Sequence, residues 1–297
     1  MKMRRLALSG ATLVGALAFG VLLRGQALPL EPTHEAGNSV IAVYEGWYSN
    51  PDGTFSLLVG YLNRNEKQEI DIPIGPNNHI DPGGPDRGQP THFLIGRKYG
   101  MFTIKVPSDF GKNRVTWTIV ANGKATSVPV GLNPDYEISP FIASADVGAA
   151  ADTPPTLRFQ DFKEEGPMVQ GPKGLAIQRT TTLNKPLPLT VWVSDDGKWF
   201  SNSGAKPRNL SPIPVSVTWT KYRGPGTVTF SKPKPVVEKL DGGDAKFVFN
   251  GKATTEAQFS EPGEYVLHAN INDYSGEGGG GFQCCWTYGT VSVSVKP

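Results

Sequence analysis

Two stretches of strict alternation, each closed by a glycine-proline corner, constrain this chain more than any other feature. The first is SVTWTKYRGPGTVTF, from Ser216 to Phe230. Val217 and Trp219 fall on one face of an extended chain there, with Thr218 and Thr220 on the other. Gly224-Pro225-Gly226 breaks it. The second is AQFSEPGEYVLHANIND, from Ala257 to Asp273, where Glu261-Pro262-Gly263 turns the chain and Tyr265, Leu267, Ala269 and Ile271 alternate inward. A period of two is the period of a strand with one covered face. The C-terminal half therefore reads as the walls and loops of one β-sandwich built around these blocks.

These residues carry a resemblance. A Trp on a central strand, a G-P-G-T-V-x-F corner, and F-S-x-P-G-x-Y leading into a strand that ends at an acidic residue together resemble the PKD-like immunoglobulin-type repeat of exported bacterial and cell-surface proteins. The resemblance runs back through Thr190 to Gly197 and forward to the closing strand Thr290 to Val295, so it covers roughly 175–296. It implies binding and spacing, with no catalytic residues to carry over. Trp219 should fill the sandwich centre, and Tyr265 should stand at a corner where its hydroxyl caps backbone groups. Both read as core aromatics without a ligand role.

A chain of 297 residues has room for about two domains. With 35 Gly and 26 Pro, and no helical period sustained after the N-terminus, the expected class is all-β: two β-sandwich domains in tandem, the second immunoglobulin/PKD-like. The 29 basic and 27 acidic residues are mixed along the chain without a basic stripe, which speaks against a nucleic-acid partner. Residues 1–27 read as a signal peptide, with a basic start, an uncharged run from Leu6 to Leu23 and small residues at Gly25 and Ala27. The run is also long enough to serve as an uncleaved anchor closed by Arg24, and either outcome places the body outside the cytoplasm.

The first sandwich is expected over 39–140. Strands from Ser39 to Tyr48 and from Thr54 to Leu62 flank the turn Asn50-Pro51-Asp52-Gly53, and Ile70, Ile72 and Ile74 alternate along an edge strand marked by Pro73. Strands resume at His92 to Arg97 and Met101 to Val106. Val115 to Val120 and Lys124 to Val130 then flank Asn122-Gly123, the favoured hairpin dipeptide. Phe55, Tyr61, Phe102 and Trp117 are the core candidates. The small-residue run Ala145 to Ala151 and the stiff Asp152-Thr153-Pro154-Pro155 mark a linker over 141–155, so the second sandwich spans 156–297 and the halves are expected to fold separately. Trp199 and Phe200, in the long segment after Asp195, read as tucked against their own domain.

No nucleophile elbow and no phosphate-binding loop occurs, and His34, His79, His92 and His268 include no pair at helical metal spacing. The segment between Gly75 and Thr91 is long for a compact domain, and with His92 it gathers His79, Asp81, Asp86, Arg87 and His92. These could hold a metal or a polar ligand, although turn chemistry explains each Asp and Gly. Asp195, Asp196 and Asp273 could likewise ring a structural calcium ion at one end of the second sandwich, or stand as solvated turn residues; no other cofactor is expected. Trp47, Tyr48 and Tyr99 offer an aromatic platform for carbohydrate, and Glu45 with Asp71 a carboxylate pair for a hydrolase.

Cys284 and Cys285 are the only cysteines. Adjacent Cα atoms lie about 3.8 Å apart across a trans peptide, short of the usual disulfide range of about 4.4–6.8 Å, and in a regular strand the two side chains point apart. One buried and one exposed thiol is therefore the plain alternative, with metal capture by two thiolates behind it. The flexible run Gly278 to Gly281, and residues inserted where PKD-like repeats have a short turn, favour a vicinal disulfide in an oxidising compartment. That bond would make a knob beside Phe282 and Trp286, the expected contact surface. The overall expectation is an exported, non-enzymatic cell-surface or periplasmic binding or structural module, with a protein or polysaccharide partner. The alternatives are a carbohydrate-binding accessory protein or a hydrolase.

Overall fold

The structure is a computed structural model that describes residues 34–142, 151–198, 211–273 and 284–297. Residues 1–27, expected as a leader or anchor, and Trp199, Phe200 and Phe282 lie outside the described residues. Among the described residues the chain is all-β, with one 3-10 turn at Pro134–Tyr136 and no α-helix.

The first half contains β1 (Val40–Ser49), β2 (Phe55–Asn63), β3 (Ile70–Asp71), β4 (Asn78–Asp81), β5 (His92–Phe93), β6 (Gly96–Val106), β7 (Arg114–Ala121) and β8 (Lys124–Gly131). One sheet has the order β1-β2-β6, a second β4-β7-β8, and β3 pairs β5. The Asn122-Gly123 turn forms as expected, with both residues at positive φ (50° and 75°), the geometry a two-residue hairpin loop demands. The edge strand is shorter than the isoleucine alternation suggests. Ile72 is buried and its amide still donates to Thr91 O at 2.7 Å, but the ladder ends there because the Thr91 amide donates to Tyr222 O instead of returning the bond. Tyr61, Phe93, Phe102 and Trp117 form a buried edge-to-face cluster, with Tyr61–Phe93 centroids 5.0 Å apart and Phe102–Trp117 5.2 Å; Phe55 packs at its margin. The indole N–H of Trp117 donates to Asn78 Oδ1 at 2.9 Å, and Asn78 Nδ2 donates to the Ile72 and Pro90 carbonyls.

The second half contains β9 (Thr156–Arg158), β10 (Val169–Gln170), β11 (Leu175–Thr182), β12 (Leu187–Asp195), β13 (Ser216–Arg223), β14 (Val228–Phe230), β15 (Glu238–Lys239), β16 (Phe249–Phe259), β17 (Gly263–Asn272) and β18 (Trp286–Lys296). One sheet runs β10-β9-β12-β16-β14, with β15 also on β16, and the other β11-β18-β17-β13, in which β11 lies parallel to β18. This is the pair of sheets of an immunoglobulin-type sandwich. The strands β9, β12, β16 and β14 take the A, B, E and D places, and β13, β17 and β18 the C, F and G places. Trp219 is 1% exposed between Phe159 and Phe230. The Tyr265 hydroxyl donates to the Glu261 carbonyl at 2.8 Å and accepts the Gly226 amide at 3.2 Å, the corner that the strand phase anticipated. Gly224, at φ 137°, leaves its α-carbon bare against the Tyr265 ring.

The two cores belong to one compact unit, His34–Pro297. Ser56 and Leu58 are buried although alternation turns them away from the first core. Their face of the sheet is covered: Thr103, paired to Leu58, lies against the Tyr288 hydroxyl, and Tyr48 donates to the Pro172 carbonyl at 3.2 Å. The end of β13 clamps the opposite half. Lys221 Nζ is 2.9 Å from Asp71, the Tyr222 hydroxyl donates to Gly88 O at 2.7 Å, and the Thr91 amide donates to Tyr222 O at 3.1 Å. Arg223 grips Asp86 with two nitrogens, at 2.8 and 2.9 Å, and donates to Gln89 O. Of the expected linker 141–155, the described ends are packed rather than loose. Phe141 stacks edge-on against Tyr48, and Asp152, Pro154 and Pro155 are buried.

Candidate functional site

The ligand set expected between His79 and His92 is not assembled. His79 Nε2 lies 3.4 Å from Asp81 at the end of β4, whereas His92 sits between Asp71 at 3.0 Å and Glu69 at 3.2 Å. Asp86 faces away to Arg223, whose hydrogen bonds hold its carboxyl below the ordinary range. Burial pushes the Asp71 carboxyl up, but its bonds to His92 and Lys221 outweigh this and leave it low. Arg87 serves the carbonyls of Pro82 and Lys105. Asp86, Gly88, Gln89 and Thr91 of the segment dock the end of β13, while His79 and Arg87 bond within the first half.

The aromatic platform is likewise absent among the described residues. Trp47 is buried, with its indole N–H on the Asn133 carbonyl at 2.7 Å; Tyr48 is buried between the halves; and Tyr99 lies under the Arg97 guanidinium, 4.2 Å from its centroid. Both faces of β1 are covered at that end, so neighbouring residues are buried in opposite directions. Glu45 and Asp71 do not form a pair. Glu45 takes Arg97 at 2.6 Å and the Gly100 amide at 2.8 Å, whereas Asp71 stands in another sheet. Burial raises the Glu45 carboxyl against the pull of Arg97.

The expected knob at the cysteines is not exposed. Cys284, Cys285 and Trp286 are all buried, and the Trp286 ring lies on the bare α-carbon of Gly100, where any side chain would collide. One buried and one exposed thiol is thus not the arrangement, because both cysteines are buried. Packing of the halves against each other covers the surface that a free second sandwich would have presented.

Acidic groups collect beside Cys285. Carboxylate oxygens of Asp152 and Asp273 and the Cys285 sulfur lie within 4.8 Å of one another, all in buried residues. Asp195 Oδ1 accepts the Gly197 amide at 2.8 Å, while its Oδ2 has no protein partner. Asp196 takes Thr153 Oγ1 at 2.8 Å and Lys198 Nζ at 3.5 Å, and that ammonium also donates to Ala151 O. Asp152 is 0% exposed and closes a hydrogen bond with neither oxygen, although the Thr153 amide is close by. Burial, helped by the Asp196 charge, pushes the Asp152 carboxyl up to about 6; burial, with the charges of Asp196 and Asp152, pushes Asp195 up to about 7. The calcium set read from sequence was Asp195, Asp196 and Asp273. The structure brings Asp152 against Asp273 instead, a residue that its Pro-rich neighbours had assigned to a linker.

Among the described residues, hollows lie both between the halves and on the first half, and the larger of those between the halves is an open one of about 290 Å³ beside Gly88, Thr103, Lys173, Tyr222 and Tyr288. Between the halves a cavity of about 50 Å³ is lined by Tyr99, Met101, His268, Asn270, Asn272 and Trp286. It is far below the ~300 Å³ of small ligand sites, so it belongs to the interface. His268 there is stacked between Tyr222 and Tyr288, with centroids 5.4 and 5.2 Å away, and burial pushes its pKa down to about 4. A surface groove of about 620 Å³ runs along the first half beside Tyr44, Tyr136, Lys112, Arg114 and Asn133. The two tyrosine rings are 5.4 Å apart and Tyr136 is 49% exposed.

No known protein family matches this chain. No curated protein matches it. Among solved structures, cadherin-like domains 1 to 4 of zebrafish RET are similar at 10% identity and a TM-score of 0.26, over 77% of this chain and 46% of that one. This chain thus spans less than half of the RET chain. The D00-D0 domain of intimin is similar at 12% identity and a TM-score of 0.24, over 86% and 99%. Domains 4 and 5 of the S-layer protein SbsC are similar at 11% identity and a TM-score of 0.19, over 88% and 98%. Likenesses this distant carry no functional argument, and the immunoglobulin-type assignment rests on the strand order of the chain itself.

Proposed function

We propose that this chain is an exported, non-enzymatic structural or binding module of the cell surface or periplasm, in which two sandwiches act as one rigid body. The observation that carries this reading is the interface. Three consecutive residues at the end of β13 all bond to the opposite half, and Tyr222 is buried in the first core although its strand belongs to the second sheet. A stiff double sandwich transmits force and sets spacing, which a flexible tandem does not. The basic and apolar N-terminus supports export, and Trp219 with the Tyr265 corner supports the finer PKD-like identity. The same reading includes a vicinal disulfide between Cys284 and Cys285, supported by their buried, touching sulfurs. Labelling intact cells with a membrane-impermeant reagent should reach the chain, and confinement to the cytoplasm would end the reading. Intact mass of the exported protein should be unchanged by alkylation without reductant; two added alkyl groups would refute the bond.

One observation favours a second reading, binding of carbohydrate by the first half. The groove beside Tyr44 and Tyr136 is of ligand size and combines an exposed aromatic face with Lys112 and Arg114, which suits an acidic glycan. A glycan array on the full chain should then return acidic polysaccharides, with the signal lost in Tyr136→Ala. An array that returns nothing, or binding unchanged in that variant, would dismiss the groove.

A further inference from the structure

Among the described residues, the buried acidic end of the second sandwich gathers more carboxylates than cations. Asp152, Asp195, Asp196 and Asp273 come there from three stretches: the start of the second half, the end of β12 with its turn, and the end of β17. Lys198 is the cation that the described contacts bring to them, and it is held by Asp196 and the Ala151 carbonyl. Asp152 is fully buried, and no described side chain donates to either of its oxygens. A buried carboxylate in that condition is costly unless it holds a proton or meets a cation.

We propose that Asp152 and Asp273 form a binding site for one divalent cation, calcium by its chemistry, with Asp195 adding negative charge beside it. The assignment to a hard ion rests on the disulfide reading above. A Cys285 sulfur bonded to Cys284 is no thiolate, so the donors are carboxylate oxygens, and oxygen donors select calcium or magnesium over zinc. Hydration separates those two. Ligand atoms within 4.8 Å of one another can share an ion with oxygen distances of about 2.3–2.6 Å, and a site with few waters suits calcium, because magnesium holds its waters more tightly. The site joins the segment that enters β9 to the exits of β12 and β17, so an ion there would tie the chain between the two cores to the second sandwich. Protons compete for the same oxygens, consistent with the raised Asp152 and Asp195 carboxyls.

The test is calorimetric titration of the full, unreduced chain, stripped with a chelator, with CaCl₂, MgCl₂ and ZnCl₂, alongside thermal unfolding. Calcium should bind at one site and raise Tm as its concentration increases. Asp152→Asn should weaken calcium at least about tenfold while leaving the calcium-free Tm equal or higher, because it removes a buried charge. Asp273→Asn, measured in the same way, serves should the first variant not fold. Absence of calcium binding by chain whose cysteines resist alkylation would overturn the cation site and leave the disulfide standing. Calcium binding unchanged in both variants would overturn it too. Zinc binding that appears only after reduction, with two alkylatable thiols and no calcium response, would overturn the oxygen site and the disulfide together.

Discussion

Trp219 and His268 show at the scale of single residues how differently the two faces of one sheet behave. Trp219 lies in the apolar interior between Phe159 and Phe230, so Trp219→Ala should destabilise the chain by about 3–5 kcal/mol in denaturant unfolding. His268 lies on the other face, buried between two tyrosine rings, and stays neutral down to about pH 4. The unfolded chain takes up that proton near the ordinary 6.5, so between about pH 4 and 6.5 the unfolded state binds more protons and stability falls as pH falls. The slope is at most about 1.4 kcal/mol per pH unit, the one-proton limit, and vanishes above about 6.5. Asp152 and Asp195 act oppositely over much of the same range, since their raised carboxyls favour the folded state at lower pH. Comparison with His268→Phe isolates the histidine, because both tyrosines stay in place. Wild type should lose more stability than the variant between pH 7 and pH 5, measured by chemical denaturation; equal losses would place the imidazole in water.

At the scale of elements, the end of β13 and the segment from Gly75 to Thr91 are one device. Arg223 joins Asp86 and Gln89 through paired charge-assisted hydrogen bonds, and Arg223→Ala should cost about 1–3 kcal/mol, less than a core truncation because both side chains are partly exposed. A smaller loss in an Asp86→Ala background would confirm that the pair is coupled. On β6, Gly100 combines φ 50° with a Trp286 ring lying on its α-carbon. Gly100→Ala should therefore destabilise by about 1–3 kcal/mol through collision and backbone strain, read as a drop in the denaturation midpoint. An unchanged midpoint would mean that the ring is free to move away.

For the whole molecule, the shared interface predicts one cooperative unfolding transition rather than two. Tyr222 is covalently part of the second sheet and packed in the first core, so neither half opens without exposing the other. Tryptophan fluorescence, which samples Trp117 in one core and Trp219 in the other, should coincide with far-UV circular dichroism. Two resolved transitions would show the halves to be energetically separate, as the composition change near residue 150 had suggested.

What alternation and turn chemistry could determine was local. The all-β class, the Asn122-Gly123 hairpin, Trp219 in a core and Tyr265 at its corner follow from the phase of each strand and from residues that tolerate one backbone geometry. Tertiary structure alone decided whatever depends on the second face of a sheet. Trp47, Tyr48 and Trp286 read as an aromatic platform or a contact surface because an exposed face and an interface carry the same residue types. The segment from His79 to His92 read as a ligand loop because Asp86 is equally suited to a metal or to Arg223, more than a hundred residues later, and its histidines equally to a metal or to the carboxylates of Asp81, Asp71 and Glu69. Asp152 went unnoticed for the converse reason. Beside Thr153, Pro154 and Pro155 it looks like linker, and only the fold carries it to Asp273. Strand periodicity records which side of its own sheet a residue occupies, and holds no information about what distant segment will cover that side.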